Sequence, residues 1–126
     1  MALQQVGTNS ADSNLLLSIM DLNDQLDKIP KDKKGPVLHG LAVATGIITL
    51  GQGAENSSLL QQLKQVDMND DVNAVQGLLL GLGLSNFGMP DFMQSEAGNM
   101  VIQMISAESE TIRRAACLCL ALTCFQ

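Results

Sequence analysis

Apolar and polar positions divide the chain into two kinds of segment. One kind is rich in glycine and apolar on all sides, as in HGLAVATGIITLG (39–51) and QGLLLGLGLSNFG (76–88). The other kind places apolar residues at i, i+4 and i+7 with polar residues between them, as in Leu59, Leu63 and Val66. That spacing puts the apolar side chains on one face of a helix. The pattern therefore predicts helices with one wet face alternating with helices that are tightly packed on all sides.

The two glycine-rich segments coincide when the sequence is shifted by 37 residues. The shift superimposes three glycines on three others: Gly40, Gly46 and Gly51 on Gly77, Gly83 and Gly88. It also superimposes the apolar positions of the wet segments, Leu22, Leu26 and Ile29 on Leu59, Leu63 and Val66, and a shift of 38 carries these onto Ala97, Val101 and Met104. Recurrence at such an interval is typical of helical repeats. One residue inserted near 89–91 accounts for the change of shift.

Small residues recur at offsets 0, 4 and 6 of each tight helix. They are Gly40, Ala44 and Gly46; Gly77, Gly81 and Gly83; and Ala115, Cys119 and Ala121. On a helix with about 100° per residue, offsets 0 and 4 share a face and offset 6 points elsewhere. Glycine inside a helix costs about 0.5–1 kcal/mol relative to alanine. Its recurrence therefore indicates close backbone approach to a neighbour on each of two sides.

Turn signals separate these helices. Residues 51–53 and 86–90 end tight helices, and Ser57 or Ser58 and Asp91 are candidate N-caps of the wet helices that follow. Polar stretches before the tight helices, at 30–35, 67–71 and 107–110, are expected to turn the chain back.

The predicted fold class is all-α, a helical-hairpin repeat solenoid (α-α superhelix) with about two full repeats and a half repeat at each end. Residues 15–126 form this single domain, and residues 1–14 are expected to be a disordered or irregular N-terminal segment.

The block GLAVATGIITLGQGAEN, followed by SSLLQQL and then by QGLLLGLGLSNFG, resembles the proteasome/cyclosome repeat. That repeat has a Gly- and Ala-rich helix ending in an aromatic residue or Leu, then Gly, a short turn and an amphipathic helix. Leu50, Gly51, Gly53 and Asn56 stand at matching positions. The resemblance spans about residues 15–126.

Two parts of the chain depart from the repeat: the turn at 89–91, and the third unit, whose IRRAACLCLAL also resembles the second helix of a HEAT or armadillo repeat. The family occurs in the two large non-ATPase scaffold subunits of the proteasome regulatory particle and in the largest subunit of the anaphase-promoting complex. The resemblance implies a non-catalytic scaffold that docks ubiquitin-like domains and partner subunits. Open solenoid ends further predict self-association or inclusion in a larger complex.

Composition narrows the possible partners. A net charge of -6 repels phosphate, and the three aromatic residues, all Phe, are not interleaved with basic residues, so nucleic acid is not an expected partner. The only basic cluster, Lys31, Lys33 and Lys34, is expected to solvate a turn.

Cellular location follows from the cysteines and from the apolar runs. Three cysteines crowded into one segment, together with a polar N-terminus, predict an intracellular protein, cytoplasmic or nuclear. The apolar runs at 37–50, 74–84 and 115–125 are shorter than the roughly 18–20 residues that cross a bilayer. A membrane-associated protein with glycine-rich packing helices remains the alternative function, because small residues also pack helices in lipid.

Candidate chemistry is sparse. His39 is the only histidine and is expected to be structural, and Cys117 and Cys124, seven residues apart, are expected to share a packed helix face without the CxxC spacing of zinc or redox sites. A thiol enzyme using Cys117 or Cys119 is the least favoured hypothesis.

Three further groups of residues are candidates for ligand binding. Asp67, Asp70 and Asp71 lack the spacing of a calcium loop, and GLLLGLGL lacks the context of a nucleotide loop. The methionines at helical spacing favour core filling over a binding strip; they are Met89, Met93, Met100 and Met104. The sequence thus predicts no enzyme, and no catalytic, cofactor-binding or metal-binding residue.

Overall fold

The structure is a computed structural model that describes Gln25 and residues 28–53, 56–66 and 71–125. These residues form five α-helices and one 3-10 helix, and no strand occurs among them. The elements are α1 (Lys31–Ile48), α2 (Asn56–Gln65), α3 (Val72–Ser85), the 3-10 helix (Pro90–Gln94), α4 (Glu96–Met104) and α5 (Glu110–Thr123). The all-α prediction is confirmed for this part of the chain. The predicted irregular segment 1–14 and the apolar positions Leu22 and Leu26 lie outside it.

Helix α3 lies at the centre, between α1 and α5, and makes its most extensive contacts with these two helices. Three of its five leucines have no solvent exposure: Leu78, Leu79 and Leu82. Burying one such side chain contributes about 1.5–3 kcal/mol. The helix whose sequence is apolar on all sides is therefore one that packs against neighbours on more than one side.

Helices α2 and α4 each bury one apolar face, as their spacing predicts. In α2, Leu59 and Leu63 are buried whereas Gln61 and Lys64 are exposed. In α4 the buried set includes Ala97, Val101 and Met104. No helix of the described ranges has the combination of length and mean hydropathy that a bilayer crossing requires.

The turns after α1 and α3 bond through the backbone to the next helix of the row, α3 and α5 respectively. The Gly51 N–H donates to the carbonyl oxygen of Leu84 at 3.1 Å, and the Gly88 N–H donates to that of Leu122 at 3.1 Å. Both glycines have a positive φ, 71° and 70°, a conformation that residues other than glycine rarely adopt. The two turns therefore need glycine for their conformation and lock neighbouring helices together without using side chains.

The capping predictions were wrong, because two helices begin elsewhere. Helix α2 begins at Asn56, which places Ser57 and Ser58 inside its first turn. Asp91 belongs to the 3-10 helix, and the cap of α4 is Ser95, whose Oγ accepts from the Gly98 N–H at 3.0 Å. Proline is favoured at the start of a helix, so Pro90 starts a separate short turn and delays α4.

The polar stretch at 30–35 was expected to be a turn, but α1 already begins at Lys31 and includes Pro36. The three lysines predicted to solvate a turn therefore lie in the first turn of a helix. The first four N–H groups of a helix have no intrahelical partner, so a proline at the sixth position removes only one bond.

Replacing Ser95 by Ala is expected to lower the free energy of unfolding by about 1 kcal/mol, because the Gly98 N–H loses its acceptor at the start of α4. Urea denaturation followed by circular dichroism measures the change. Ser106→Ala, in the exposed turn after α4, is the matched control and should change stability little. Equal effects of both substitutions would show that Ser95 does not act as a cap.

Candidate interaction surface

The small residues of α3 face two different neighbours. A Cβ on Gly81 would collide with the carbonyl oxygen of Ala42 in α1, and Gly77 likewise touches the backbone of α1. A Cβ on Gly83 would lie only 2.9 Å from the Cα of Cys119 in α5. The prediction that offsets 0 and 4 serve one face and offset 6 another is confirmed for this helix.

The contacts on the two sides of α3 use residues at corresponding positions. A Cβ on Gly46 of α1 would lie 2.8 Å from the Cα of Gly81 and 3.0 Å from the Cβ of Leu84. On the other side of α3, the corresponding glycine is Gly83. A Cβ on Gly83 would lie 2.9 Å from the Cα of Cys119 and 3.0 Å from the Cδ1 of Leu122, both in α5. Helix α1 therefore sits on α3 as α3 sits on α5.

The opposite side of α5 carries no described element. Five exposed residues at helical spacing cover it: Arg114, Cys117, Leu118, Ala121 and Phe125. We call them the α5 outer face. Leu118 is 48% exposed, and Phe125 is 59% exposed although its ring contacts that of Phe87 at a centroid distance of 5.0 Å. Exposed apolar residues grouped in this way mark interaction sites more often than scattered ones do.

The α5 outer face corresponds to positions that α1 and α3 use for packing. His39, Ala42 and Gly46 lie on the side of α1 that contacts α3. Shifting these positions by 37 and then 38 residues gives three members of the α5 outer face, Arg114, Cys117 and Ala121. The same kind of face is thus covered by α3 in α1, whereas no described residue covers it in α5.

The far side of α1 is likewise covered by no described element. Val37 is 37% exposed, and no described residue lies within 4 Å of the position a Cβ would take on Gly40. Ala44 and Ile47 are half-buried. We call these four residues the α1 outer face. The spacing predicted a close neighbour at Gly40 as at Gly77, and among the described residues only Gly77 has one.

The cysteines do not form the packed pair expected from their spacing. Cys119 is buried against α3, whereas Cys117 and Cys124 are exposed. The prediction for the last two was wrong because nothing in the described residues packs on their side of α5. Burial raises the pKa of the Cys119 thiol from 9.0 to about 12 by desolvating the thiolate.

Native protein treated with iodoacetamide at neutral pH is expected to react at the exposed Cys117 and Cys124 and to spare the buried Cys119. The thiolate is the nucleophile, and burial holds the Cys119 thiol protonated. Peptide mass spectrometry reads each site, and urea-unfolded protein, in which all three should react, is the control. In the folded chain Cys119 stays neutral below its raised pKa. Its contribution to stability is therefore present below pH 9.0 and is lost as the pH rises towards about 12. Rapid native labelling of Cys119 would contradict its placement.

His39, at mid-helix in α1, donates from Nδ1 to the carbonyl oxygen of Asn73 at 2.9 Å. It thus joins α1 to α3, as a structural histidine would. Among the acidic residues weighed as a calcium loop, Asp67 and Asp70 lie outside the described residues and Asp71 precedes α3. In the described ranges no group of three or more His, Cys, Asp or Glu residues is placed to hold a metal ion.

The methionines do not form one strip. Met89 lies in a turn and Met93 in the 3-10 helix, so only Met100 and Met104 share a helix. Met104 is buried, as expected for core filling. Together with Gln103 and two residues of the following turn, Met100 and Met104 line a depression of about 260 Å³.

Comparison of the chain with protein-family models, with curated proteins and with solved structures finds no match.

Proposed function

We propose that this chain is a section of a helical-hairpin repeat solenoid that acts as a non-catalytic scaffold for other proteins. The observation that carries the proposal is the recurrence of one packing: α1 on α3 and α3 on α5, with corresponding glycines at both contacts. The matching turn bonds of Gly51 and Gly88 support it independently. Stacked units that contact only their neighbours define a solenoid, and such proteins bind partners on extended surfaces.

The α5 outer face supports a role in binding. Its centre consists of Leu118 and Ala121, with Phe125 beside them. Its one charged residue, Arg114, lies at the edge, where its Nη2 forms an ion pair with Glu110 Oε1 at 2.8 Å. Apolar and aromatic residues at the centre with charges at the rim are typical of protein interfaces. Cys119 does not belong to this face. It lies on the opposite side of α5, where burial keeps its thiol protonated and therefore not activated as a nucleophile.

The class of partner follows from the resemblance to the proteasome/cyclosome repeat. It comprises ubiquitin-like domains and subunits of large assemblies, including further helical units of the same kind. We place the protein inside the cell because its three cysteines are crowded into one segment.

Site-specific photo-crosslinking in an extract of the source cells tests the proposal. A photoreactive residue at position 118 should yield a small set of protein adducts identified by mass spectrometry, because Leu118 lies at the centre of the α5 outer face. The same residue at position 99 on α4, where Asn99 is exposed on a different helix, is the matched control and should not yield them. Identical adducts from both positions, or none from position 118, would refute the proposal.

A further inference from the structure

We infer that the α5 outer face of one molecule docks the α1 outer face of a second copy, so that α1 of that copy continues the row α1, α3, α5. The inference rests on the proposed function, since it extends the repeat packing across two molecules. It goes further by naming the partner, the two surfaces and the register in which they meet.

The register is fixed by the two contacts inside the chain. Gly46 meets Gly81 and Leu84, and the residues corresponding to these three meet again between α3 and α5. The next correspondence in the series sets Ala121 against the residues of α1 that match Gly81 and Leu84. Those residues are Ala44 and Ile47, both of which belong to the α1 outer face.

The end of the helix extends the same register. Phe87 and Phe125 pack with ring centroids 5.0 Å apart, and they follow the ends of α3 and α5 at corresponding positions. The matching residue after α1 is Leu50, which is half-buried. Docking in this register covers the exposed ring of Phe125 with Leu50 of the second copy. The most exposed large apolar side chain among the described residues thereby gains a partner.

The α1 outer face has the size that the site accepts. The residues that seat α3 on α1 are Gly77, Gly81 and Leu84, and those that seat α5 on α3 are Ala115, Cys119 and Leu122. The corresponding residues of α1 are Gly40, Ala44 and Ile47. In bulk this set lies between the two that the chain already packs. Because Ala121 has a Cβ where Gly46 and Gly83 have none, the docked helices are expected to stand slightly further apart than α1 and α3.

The contact joins two different surfaces, so a pair of copies keeps an unused α1 outer face at one end and an unused α5 outer face at the other. Such head-to-tail contacts build rings when the rotation closes and filaments when it does not. Assembly should therefore continue past the dimer as the concentration rises, unless a ring closes.

A disulfide tests the register directly. A Cβ on Gly81 would lie 3.6 Å from the Cβ of Ala42, and the same pair in the proposed contact is position 44 of one copy and Cys117 of the other. That distance suits a disulfide, whose Cβ atoms lie about 3.5–4.5 Å apart. The two outer faces point away from each other on either side of α3, so the bond forms only between molecules.

The experiment compares Ala44→Cys, Ala44→Cys with Cys117→Ser, and Asn99→Cys, each oxidised with oxidised glutathione. Ala44→Cys should give a ladder of linked species whose peptides join position 44 to Cys117. The double variant should lose the ladder, and the cysteine at exposed position 99 should not link specifically to Cys117. Ladder formation that persists without Cys117, or equal linkage from position 99, would overturn the register.

Sedimentation velocity of the purified, reduced chain over a wide concentration range tests the association itself. Ala121→Glu should move the association midpoint to an at least about tenfold higher concentration, because a carboxylate would be buried in the contact; a factor of ten is 1.4 kcal/mol. Asn99→Glu changes the net charge equally and should leave the midpoint unchanged. Both positions are exposed, so thermal unfolding of dilute protein is expected to confirm that each variant folds.

Failure of this inference is distinguishable from failure of the proposed function. A chain that stays monomeric at all concentrations and forms no bond between position 44 and Cys117 overturns docking of a second copy. If position 118 then crosslinks other proteins in the extract, the scaffold function stands. If it crosslinks nothing, both fall.

Discussion

Replacing Gly81 by Ala is expected to lower the free energy of unfolding by about 1–2 kcal/mol, whereas Gly40→Ala raises it by about 0.5–1 kcal/mol. Both glycines lie inside helices, so alanine brings each the same gain in helix propensity. They differ in their surroundings: a Cβ at position 81 collides with the carbonyl oxygen of Ala42, and one at position 40 meets no described residue. Backbone atoms cannot rotate away as a flexible side chain can, so α1 and α3 must separate to admit the methyl group.

Urea denaturation of dilute protein measures both effects, with each variant compared to the unchanged chain at the same concentration. Low concentration matters because Gly40 belongs to the α1 outer face, where association would add to the stability. Stabilisation by both substitutions would show that α1 and α3 do not approach as closely as described. Destabilisation by Gly40→Ala would reveal a neighbour on the outer face of α1.

Leu78→Ala is expected to cost about 2–5 kcal/mol, the range for removing a buried leucine side chain and leaving a cavity. Leu78 has no exposed surface and lies in α3, between two packed helices that limit how far the site can collapse. A loss near the upper end of this range would unfold a substantial fraction of a protein of ordinary stability.

Leu118→Ala is the matched control, since it is the same substitution in a helix at a residue that is 48% exposed. It should change the unfolding free energy of dilute protein by less than about 0.5 kcal/mol. The same variant should weaken crosslinking and association, because it removes the centre of the α5 outer face. A large loss of stability from Leu118→Ala would mean that something in the monomer covers this face.

The features that the sequence predicted well depend on periodicity alone. Gly77, Gly81 and Gly83 show which sides of α3 approach another backbone, because small residues at fixed offsets mark faces whatever lies opposite them. The one-sided apolar spacing of Leu59 and Leu63 likewise determines which face of α2 is buried. Both inferences need only the geometry of a single helix.

The predictions that failed depend on where a helix begins or on what lies beside it. Asp91 has the right chemistry for a cap, but the turn started by Pro90 moves the start of α4 to a position that Ser95 caps. Cys117 and Cys124 were assigned to a packed face, and spacing does not tell whether another element covers that face. The open solenoid end was predicted, but the residues of the α5 outer face were not, for the same reason. Its one sequence signal is the match of Ala121 to glycines that pack elsewhere.

The flanked position of α3 determines how the molecule opens to solvent. Among the described elements α1 packs extensively on α3 alone and can detach by breaking these contacts, whereas α3 is released only after α1 and α5 have both given way. Amide hydrogens of α3 should therefore exchange with deuterium only through global unfolding, and those of α1 and α5 through smaller openings. The Gly51 amide, bonded to Leu84, records departure of α1, and the Gly88 amide, bonded to Leu122, records departure of α5. The exchange rates of these two amide protons thus report how fast α1 and α5 each separate from α3.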